Sequence, residues 1–162
     1  TTADYASWPT FIPFLLLMSA FIGACAGSTG GGIKIIRMLL LYKQGSREIK
    51  RLIHPNAVIP IKLGRKPVGS RVIDAVWGFL AAYVLIFAVL MLVCMALGED
   101  PITAYSAVGA CLNNLGPGLG DATLNYSTLS DGTKYVLSFA MLLGRLELFT
   151  LLVVLSPSFW EH

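Results

Sequence analysis

The chain has 162 residues, of which 56% are hydrophobic and only 13% are charged, and its mean hydropathy is +0.72. Soluble domains carry roughly 25% charged residues, so the composition excludes an ordinary soluble domain and favours a membrane protein. No catalytic constellation and no metal-ligand spacing of cysteines or histidines is visible, so we expect neither an enzyme nor an organic cofactor. Because the first residue is Thr1 rather than methionine, we expect a piece of a longer polypeptide.

Positive charge is concentrated in one part of the chain, since ten of the 12 lysines and arginines lie between Lys34 and Arg71. Cytoplasmic loops of membrane proteins are rich in these residues, so residues 43–71 and the C-terminus are predicted to be cytoplasmic. A basic run could instead bind nucleic acid, but the flanking apolar segments favour the lipid bilayer as partner, with no nucleic acid. Acidic residues lie at the opposite ends of the apolar segments: Asp4, Glu99, Asp100, Asp121 and Asp131.

The first predicted element in chain order is an apolar helix interrupted by glycines. Residues 11–22 are apolar, and so are residues 33–42 except for Lys34 and Arg37, which are predicted to face one side. The segment between them has glycines at 23, 27, 30, 31 and 32. A span needs about 20 residues, so the whole run is too long for one, and each glycine costs about 1 kcal/mol relative to alanine in a helix. We predict two half-helices joined by an intramembrane loop at 23–32, the second ending at Gln44 and Gly45.

Two other interpretations of the glycine segment are weaker. Gly27 and Gly32 have the spacing of a phosphate-binding loop, but Ile33 stands where that motif requires lysine, and no strand precedes it. Close helix packing through small residues explains Gly23 and Gly27. It does not explain three consecutive glycines at 30–32, which favour a mobile element.

A linker, a span and a short helix are predicted next. Residues 45–71 form a cytoplasmic linker broken by prolines and glycines, in which 47–53 could be a short amphipathic helix. Residues 75–98 carry no charge and predict a complete span. Asp100 is a candidate N-cap with Pro101 in the first turn. The helix that follows, 101–112, is too short to span, which favours a re-entrant helix, and a last span is predicted at 134–156.

The segment 113–120, Asn-Asn-Leu-Gly-Pro-Gly-Leu-Gly, follows that short helix and is predicted to be irregular. Irregular backbone at membrane depth is tolerated only where it is buried in protein or lines a watery cavity. Its carbonyls could replace the water shell of a cation, because glycine permits the unusual dihedrals that aim them at one axis. A tight Gly-Pro-Gly turn is the alternative.

A short internal repeat relates the two halves of the chain. Residues 3–7 resemble residues 124–128, and this register places Gly23 opposite Gly144 and Ala24 opposite Arg145. A charge within a span is costly and is a functional hypothesis by default, so Arg145 is a candidate gate beside the glycine break. Pairing with buried groups for structural reasons is the alternative.

Three motifs, at residues 23–34, 112–120 and 144–150, resemble the TrkH family of membrane subunits of Trk potassium-uptake systems, within the TrkH/KtrB/HKT superfamily. The resemblance implies an all-α membrane protein built from potassium-channel-like M1–P–M2 repeats, with a re-entrant pore helix and a broken M2 helix. It divides the chain into the second half of a third repeat (1–44), the linker (45–71) and a complete fourth repeat (72–162), with M1 at 72–98, pore helix at 101–112, filter at 113–118 and M2 at 134–156.

The resemblance also implies roles for residues. Backbone carbonyls of Asn113, Asn114, Leu115 and Gly116 would bind potassium ions in a selectivity filter. The implied gate consists of Gly27, Ser28, Thr29, Gly30, Gly31, Gly32 and Arg145. The filter sequence departs from the Thr-Val-Gly-Tyr type of potassium channels and keeps only the glycine, Gly116, so looser selectivity is expected.

The implied partners are the upstream repeats of the same polypeptide, a second copy in a homodimer, and a cytosolic nucleotide-binding ring of the TrkA type. The implied location is the bacterial inner membrane. From the residues themselves a second function stays open, namely a secondary transporter whose broken helices bind a small solute at the midplane, with an anion at Arg145. Channel-like movement and coupled symport of the ion also stay open.

Overall fold

The computed structural model describes residues 8–9, 11–25, 27–28, 30–123, 125–146 and 150. This part of the chain is mostly helical. Its elements are the helices α1 (Phe11–Ile22), α2 (Ile35–Ile53), α3 (Ser70–Ala96), α4 (Pro101–Leu112) and α5 (Asp131–Arg145), the antiparallel strands β1 (Lys62–Leu63) and β2 (Lys66–Pro67), and a 3-10 turn at Gly120–Ala122.

Helix α3 has 27 residues and, within the described part of the chain, is the helix long and apolar enough to cross a bilayer. It begins and ends two residues before the predicted span at 72–98. Its end is a Schellman motif around Gly98, which has φ +98°. The Gly98 N–H donates to the Met95 carbonyl at 3.0 Å, and the Glu99 N–H donates to the Cys94 carbonyl at 3.2 Å.

Helix α4 has the bounds predicted from sequence, 101–112, and it lies at the centre of the packing. Asp100 caps it, accepting the Ile102 N–H at 3.1 Å, with Pro101 in the first turn. Nine of its 12 residues are buried, because α1, α3 and α5 all pack against it. Small side chains permit this approach. A Cβ added to Gly109 would lie 3.1 Å from the ring of Phe21 on α1.

The glycine break separates α1 from α2, but the second helix is longer than predicted. The expected end at Gln44 and Gly45 is wrong, because α2 continues to Ile53 and includes the segment 47–53. One glycine costs only about 1 kcal/mol in a helix, and Lys43 beside it donates to the Lys62 carbonyl at 2.7 Å. The boundary between residues 44 and 45 therefore falls inside α2, and the hairpin of β1 and β2 is an element the sequence did not predict.

Helix α5 begins three residues before the predicted start at 134. Ser130 is its N-cap, since the hydroxyl accepts the Thr133 N–H at 3.3 Å. The Ser130 N–H donates to the Glu99 carboxylate at 3.1 Å, which joins this helix start to the end of α3. Residues 147–149 and 151–162, including the predicted end at 156, lie outside the described residues, as do residues 3–7 and 124 of the repeat.

Candidate ion-filter site

The site begins where α4 ends in a second Schellman motif. Asn113 is the C-cap, and Asn114 has φ +54°, a left-handed conformation that asparagine tolerates better than most residues. The Asn114 N–H donates to the Cys111 carbonyl at 3.1 Å, and the Leu115 N–H donates to the Ala110 carbonyl at 2.8 Å. The chain therefore leaves the helix abruptly, and residues 113–118 are not helical.

The side chain of Asn113 anchors this turn to α3. Its Oδ1 accepts the Tyr83 hydroxyl at 2.7 Å, and its Nδ2 donates to the Gly109 carbonyl at 2.8 Å. Asn113 is only 7% exposed and Tyr83 only 4% exposed. A buried acceptor left without its donor costs about 1–3 kcal/mol, so this pair holds the first residue of the segment firmly. Tyr83 is a site residue that the sequence reasoning missed, since it lies 30 residues away.

The next three residues, Asn114, Leu115 and Gly116, are exposed. Gly116 has φ +104°, so positive φ recurs two residues after Asn114. Behind them, the Tyr126 hydroxyl donates to the Gly116 carbonyl. The four predicted filter residues are therefore of two kinds, because Asn113 is buried and the other three are open.

The outer end of the segment is also tied to α4. The Ser106 hydroxyl accepts the Leu119 N–H at 2.8 Å and donates to the Leu119 carbonyl at 3.0 Å. The Gly118 N–H donates to the Ala122 carbonyl at 3.0 Å. Ser106 is fully buried, so these bonds are shielded from competing water and fix the outer half of the loop.

The glycine loop lies directly against the start of the segment. A Cβ added to Gly31 would be 2.6 Å from the Asn113 carbonyl oxygen, and one added to Gly32 would be 3.2 Å from Asn113 Oδ1. The Ile33 N–H donates to the Phe21 carbonyl at 3.1 Å, which closes the loop onto α1. Only glycine fits where backbone meets backbone this closely.

The predicted gate divides into a packed half and an open half. Gly31 is buried and Gly30 half-buried, whereas Gly27 and Ser28 are exposed. Among the described residues, nothing lies within 4 Å of a Cβ added to Gly27. Thr29 lies outside the described residues.

Gly144 on α5 approaches the same turn from the other side. A Cβ there would overlap the Leu112 carbonyl oxygen and would lie 2.6 Å from Asn114 Nδ2. A Cβ on Gly31 would lie 2.9 Å from that same Nδ2 atom. Arg145 follows as the last residue of α5 and is exposed. The structure thus brings Gly144, the residue before Arg145, and Gly31 of the glycine loop to the same turn.

A cavity of about 20 Å³ lies between these elements, lined in part by Lys34, Arg37, Tyr83 and Gly144. This is room for about one water molecule. Lys34 is 9% exposed with φ +70°, and the Arg37 guanidinium lies 4.1 Å from the centroid of the Phe79 ring. The sequence reasoning placed both cations on one side of an otherwise apolar run but gave them no role in the site. Their position directly after the glycines, in an apolar run, is the signal that could have singled them out.

A buried short helix that ends in a glycine-rich segment, set beside an apolar spanning helix and a glycine-broken one, defines a helical protein of the membrane class. The sequence profile of the family described as "TrkH: Cation transport protein" matches residues 1–162. The chain therefore belongs to the TrkH family.

Relatives of known name are similar over nearly the whole chain. It is 58% identical over 161 residues to the Trk system potassium uptake protein TrkH of Vibrio parahaemolyticus, and 57% identical over 162 residues to that of Escherichia coli K12. These alignments cover 99% and 100% of this chain but 33% and 34% of the relatives. The crystal structure of the potassium transporter TrkH from Vibrio parahaemolyticus matches with a TM-score of 0.91 at 58% identity, covering 99% of this chain and 34% of that one. The chain thus spans about a third of the length of these proteins.

Proposed function

We propose that this chain forms one quarter of a potassium pathway, together with part of a neighbouring quarter, in the membrane subunit of a Trk-type uptake system. The observation that carries the proposal is the exposed segment Asn114–Leu115–Gly116 at the end of a buried helix too short to span. Relatives named as potassium uptake proteins support potassium as the transported ion.

The helices correspond to the parts of one M1–P–M2 repeat and half of another. In this proposal α3 is M1, α4 is the pore helix, residues 113–118 are the filter and α5 begins M2. Helices α1 and α2 are the broken M2 of the preceding repeat, separated by the loop at 23–32. The central packing of α4 against α1, α3 and α5 supports this assignment, because a pore helix must be held by the spans around it.

The filter would bind potassium through backbone carbonyls, which replace the hydration shell of the ion. The four predicted residues then have two functions. Asn114, Leu115 and Gly116 are exposed and would face the ion. Asn113 is buried against Tyr83 and Gly31 and would hold the filter segment in place. The Gly116 carbonyl keeps a second lone pair for an ion beside its bond from Tyr126. The upstream repeats would supply the other carbonyls of the ring.

The gate would lie below the filter, at the glycine loop and Arg145. The open half of the loop, at Gly27 and Ser28, would move, and the packed half, at residues 30–32, would transmit that movement to Asn113. Arg145 would place a positive charge near the ion path, where it repels cations until the gate opens. The cavity of about 20 Å³ beside Gly144 has room for about one water molecule, and the names of the relatives favour ion uptake over a solute transporter.

The remaining surfaces fit the rest of the assembly. Large apolar side chains such as Phe11, Leu85 and Leu92 are more than half exposed and would be covered by lipid or by the upstream repeats. The basic residues 43–71 and the C-terminus would face the cytoplasm of a bacterium whose inner membrane holds the protein. A homodimer and a cytosolic nucleotide-binding ring of the TrkA type complete the proposed complex.

The test is ion selectivity of the complete protein carrying Gly116→Ser, measured as potassium and sodium flux into proteoliposomes. A side chain at φ +104° strains the filter backbone, so the potassium-over-sodium preference should fall severalfold. Gly64→Ser is the matched control, since Gly64 also has positive φ (+62°) and open surroundings but lies in the hairpin turn. Unchanged selectivity in Gly116→Ser would remove the filter assignment, and solute binding without ion flux would favour the transporter.

A further inference from the structure

A basic cleft separates α2 from the segment that precedes β1. Its volume is about 270 Å³, and its polar lining comes from Tyr42, Lys43, Ser46, Arg47, Lys50 and Lys62. Four of these six side chains are cationic, and none of the residues that line the cleft is acidic. The filter and gate do not use it.

The depth of the cleft follows from the packing of α2 on α3. Leu40 shares a buried cluster with Ile73 and Val76, and the charge-free part of α3 begins at Ala75. Leu40 thus lies at the cytoplasmic edge of the proposed span. Lys43 is three residues further, about 4.5 Å along the axis. This places the cleft at the level of the lipid headgroups, given the proposed membrane orientation.

Two of the four cations of the cleft, Lys43 and Arg47, are held in position by bonds of their side chains. Lys43 Nζ donates to the Lys62 carbonyl at 2.7 Å, so the ammonium is fixed while two of its three donors stay available. Arg47 pairs with Glu48 at 3.1 Å, and Arg51 at 3.4 Å shares that carboxylate from outside the cleft. One carboxylate among so many cations leaves the cleft strongly positive.

The rim of the cleft suits a membrane surface. The side chain of Tyr42 is 77% exposed next to Lys43, and tyrosine is enriched at headgroup level because its ring is amphipathic. Apolar groups of Ile59, Pro60 and Ile61 form the opposite wall. The Ile61 carbonyl accepts the Val68 N–H at 2.8 Å, which fixes that wall to the far side of the hairpin.

We propose that this cleft binds the phosphate headgroup of an anionic lipid of the inner leaflet, of the phosphatidylglycerol class. Basic pockets on the cytoplasmic side of membrane helices attract such headgroups. Lys43 and Lys50 donate to the phosphate oxygens, and Tyr42 packs at the glycerol end. An acidic protein partner is the weaker alternative, because it would have to insert a protruding acidic group into this concave cleft at the level of the lipid headgroups.

The test is the affinity of the complete purified protein for short-chain phosphatidylglycerol, measured by native mass spectrometry, with phosphatidylcholine as the uncharged reference. The variant Lys43→Gln/Lys50→Gln removes two cleft cations. The control Arg65→Gln/Lys66→Gln removes two cations from the tip of the same basic segment, outside the cleft. Because hydrogen bonds to charged groups are strong, the cleft variant should bind phosphatidylglycerol at least roughly tenfold more weakly than the control, which corresponds to about 1.4 kcal/mol.

Four outcomes decide the proposal. A selective loss in the cleft variant, with binding kept in Lys43→Arg/Lys50→Arg, supports it. Equal loss in cleft and control variants shows charge attraction without a site and overturns it. Displacement of the lipid by an equal concentration of inorganic phosphate makes the cleft a free-phosphate site. Unchanged lipid affinity with weaker binding of the cytosolic nucleotide-binding ring makes it a protein interface. Potassium flux of the same variants reports separately on the proposed pore.

Discussion

Two irregular glycine-containing segments meet at Asn113, and they differ in how they are held. The filter segment 113–120 is anchored along its length, by Tyr83 at its first residue, by Tyr126 in the middle and by Ser106 near its end. In the part of the loop 23–32 that the structure describes, Gly23 and the glycines at 30–32 leave no room for a side chain, whereas Gly27 has open surroundings. Ser28 next to it bonds, among the described residues, to neighbours two or three positions away in sequence, from its N–H to the Cys25 carbonyl at 3.0 Å and from the Gly30 N–H to its hydroxyl at 3.2 Å.

The difference shows that glycine has two uses in this molecule. At Gly31 and Gly144 the missing side chain allows backbones to approach each other. At Gly116 and Gly27 the surroundings are open in the described part of the chain, so conformational freedom is the remaining reason for glycine. Alanine substitutions should separate these two uses. At the closely packed glycines the added Cβ would overlap neighbouring backbone, whereas at the open glycines it would only restrict the backbone dihedrals.

The largest effect is expected for Gly144→Ala. Its Cβ would overlap the Leu112 carbonyl oxygen, which is backbone and cannot rotate away. Overpacking of this kind typically costs 1–3 kcal/mol or more, so the thermal stability of the complete protein in detergent should fall, and potassium flux with it. Gly45→Ala is the matched control, a helical glycine with open surroundings, and it should gain up to about 1 kcal/mol. Equal stability of the two variants would contradict the close packing of α5 on the filter turn.

A smaller effect is expected for Tyr83→Phe, which removes the donor from Asn113 Oδ1 but keeps the ring. The buried acceptor then lacks a partner, at a cost of about 1–3 kcal/mol. The filter segment should become less firmly held, so the potassium-over-sodium preference should fall. The Asn113 amide should stay bonded to the Gly109 carbonyl. Tyr105→Phe is the control, because within the described ranges the Tyr105 hydroxyl contacts the Met18 sulfur at 3.8 Å, a weak bond that does not involve Asn113. Equal selectivity in both variants would show that Asn113 does not position the filter.

Local signals were sufficient for the elements on which this site is built. Asp100 and Pro101 mark the start of α4, and the Asn-Asn-Leu-Gly-Pro sequence marks its end, so the bounds 101–112 could be predicted from neighbouring residues alone. The charge-free run 75–98 likewise predicted α3, although the helix begins five residues earlier and ends two residues earlier than that run. The filter and gate roles came from the family resemblance and stay predictions.

The contacts that hold the site could not be predicted, because they join residues far apart in sequence. Nothing near Tyr83 indicates that its hydroxyl meets Asn113, and nothing near Gly144 indicates contact with Leu112. The continuation of α2 through Gly45 was not predicted for the same reason, because Lys43 beside it bonds to the Lys62 carbonyl, which is distant in sequence. A single glycine in a helix costs only about 1 kcal/mol.

The smallest change in stability is expected for Gly27→Ala, which tests the open half of the loop. No described residue lies within 4 Å of the added Cβ, so no overlap arises and stability should rise by at most about 1 kcal/mol. Alanine nevertheless restricts the backbone by about 0.4–1 kcal/mol, and if the loop must move for the gate to open, flux should fall about two- to fivefold. The potassium-over-sodium preference should stay constant, because the packed half of the loop still supports Asn113. Gly31→Ala is the comparison, since its Cβ would meet the Asn113 carbonyl and should disturb selectivity as well as flux. If Gly27→Ala leaves flux unchanged, or alters selectivity as strongly as Gly31→Ala, the division of the loop into a moving half and a packed half is wrong.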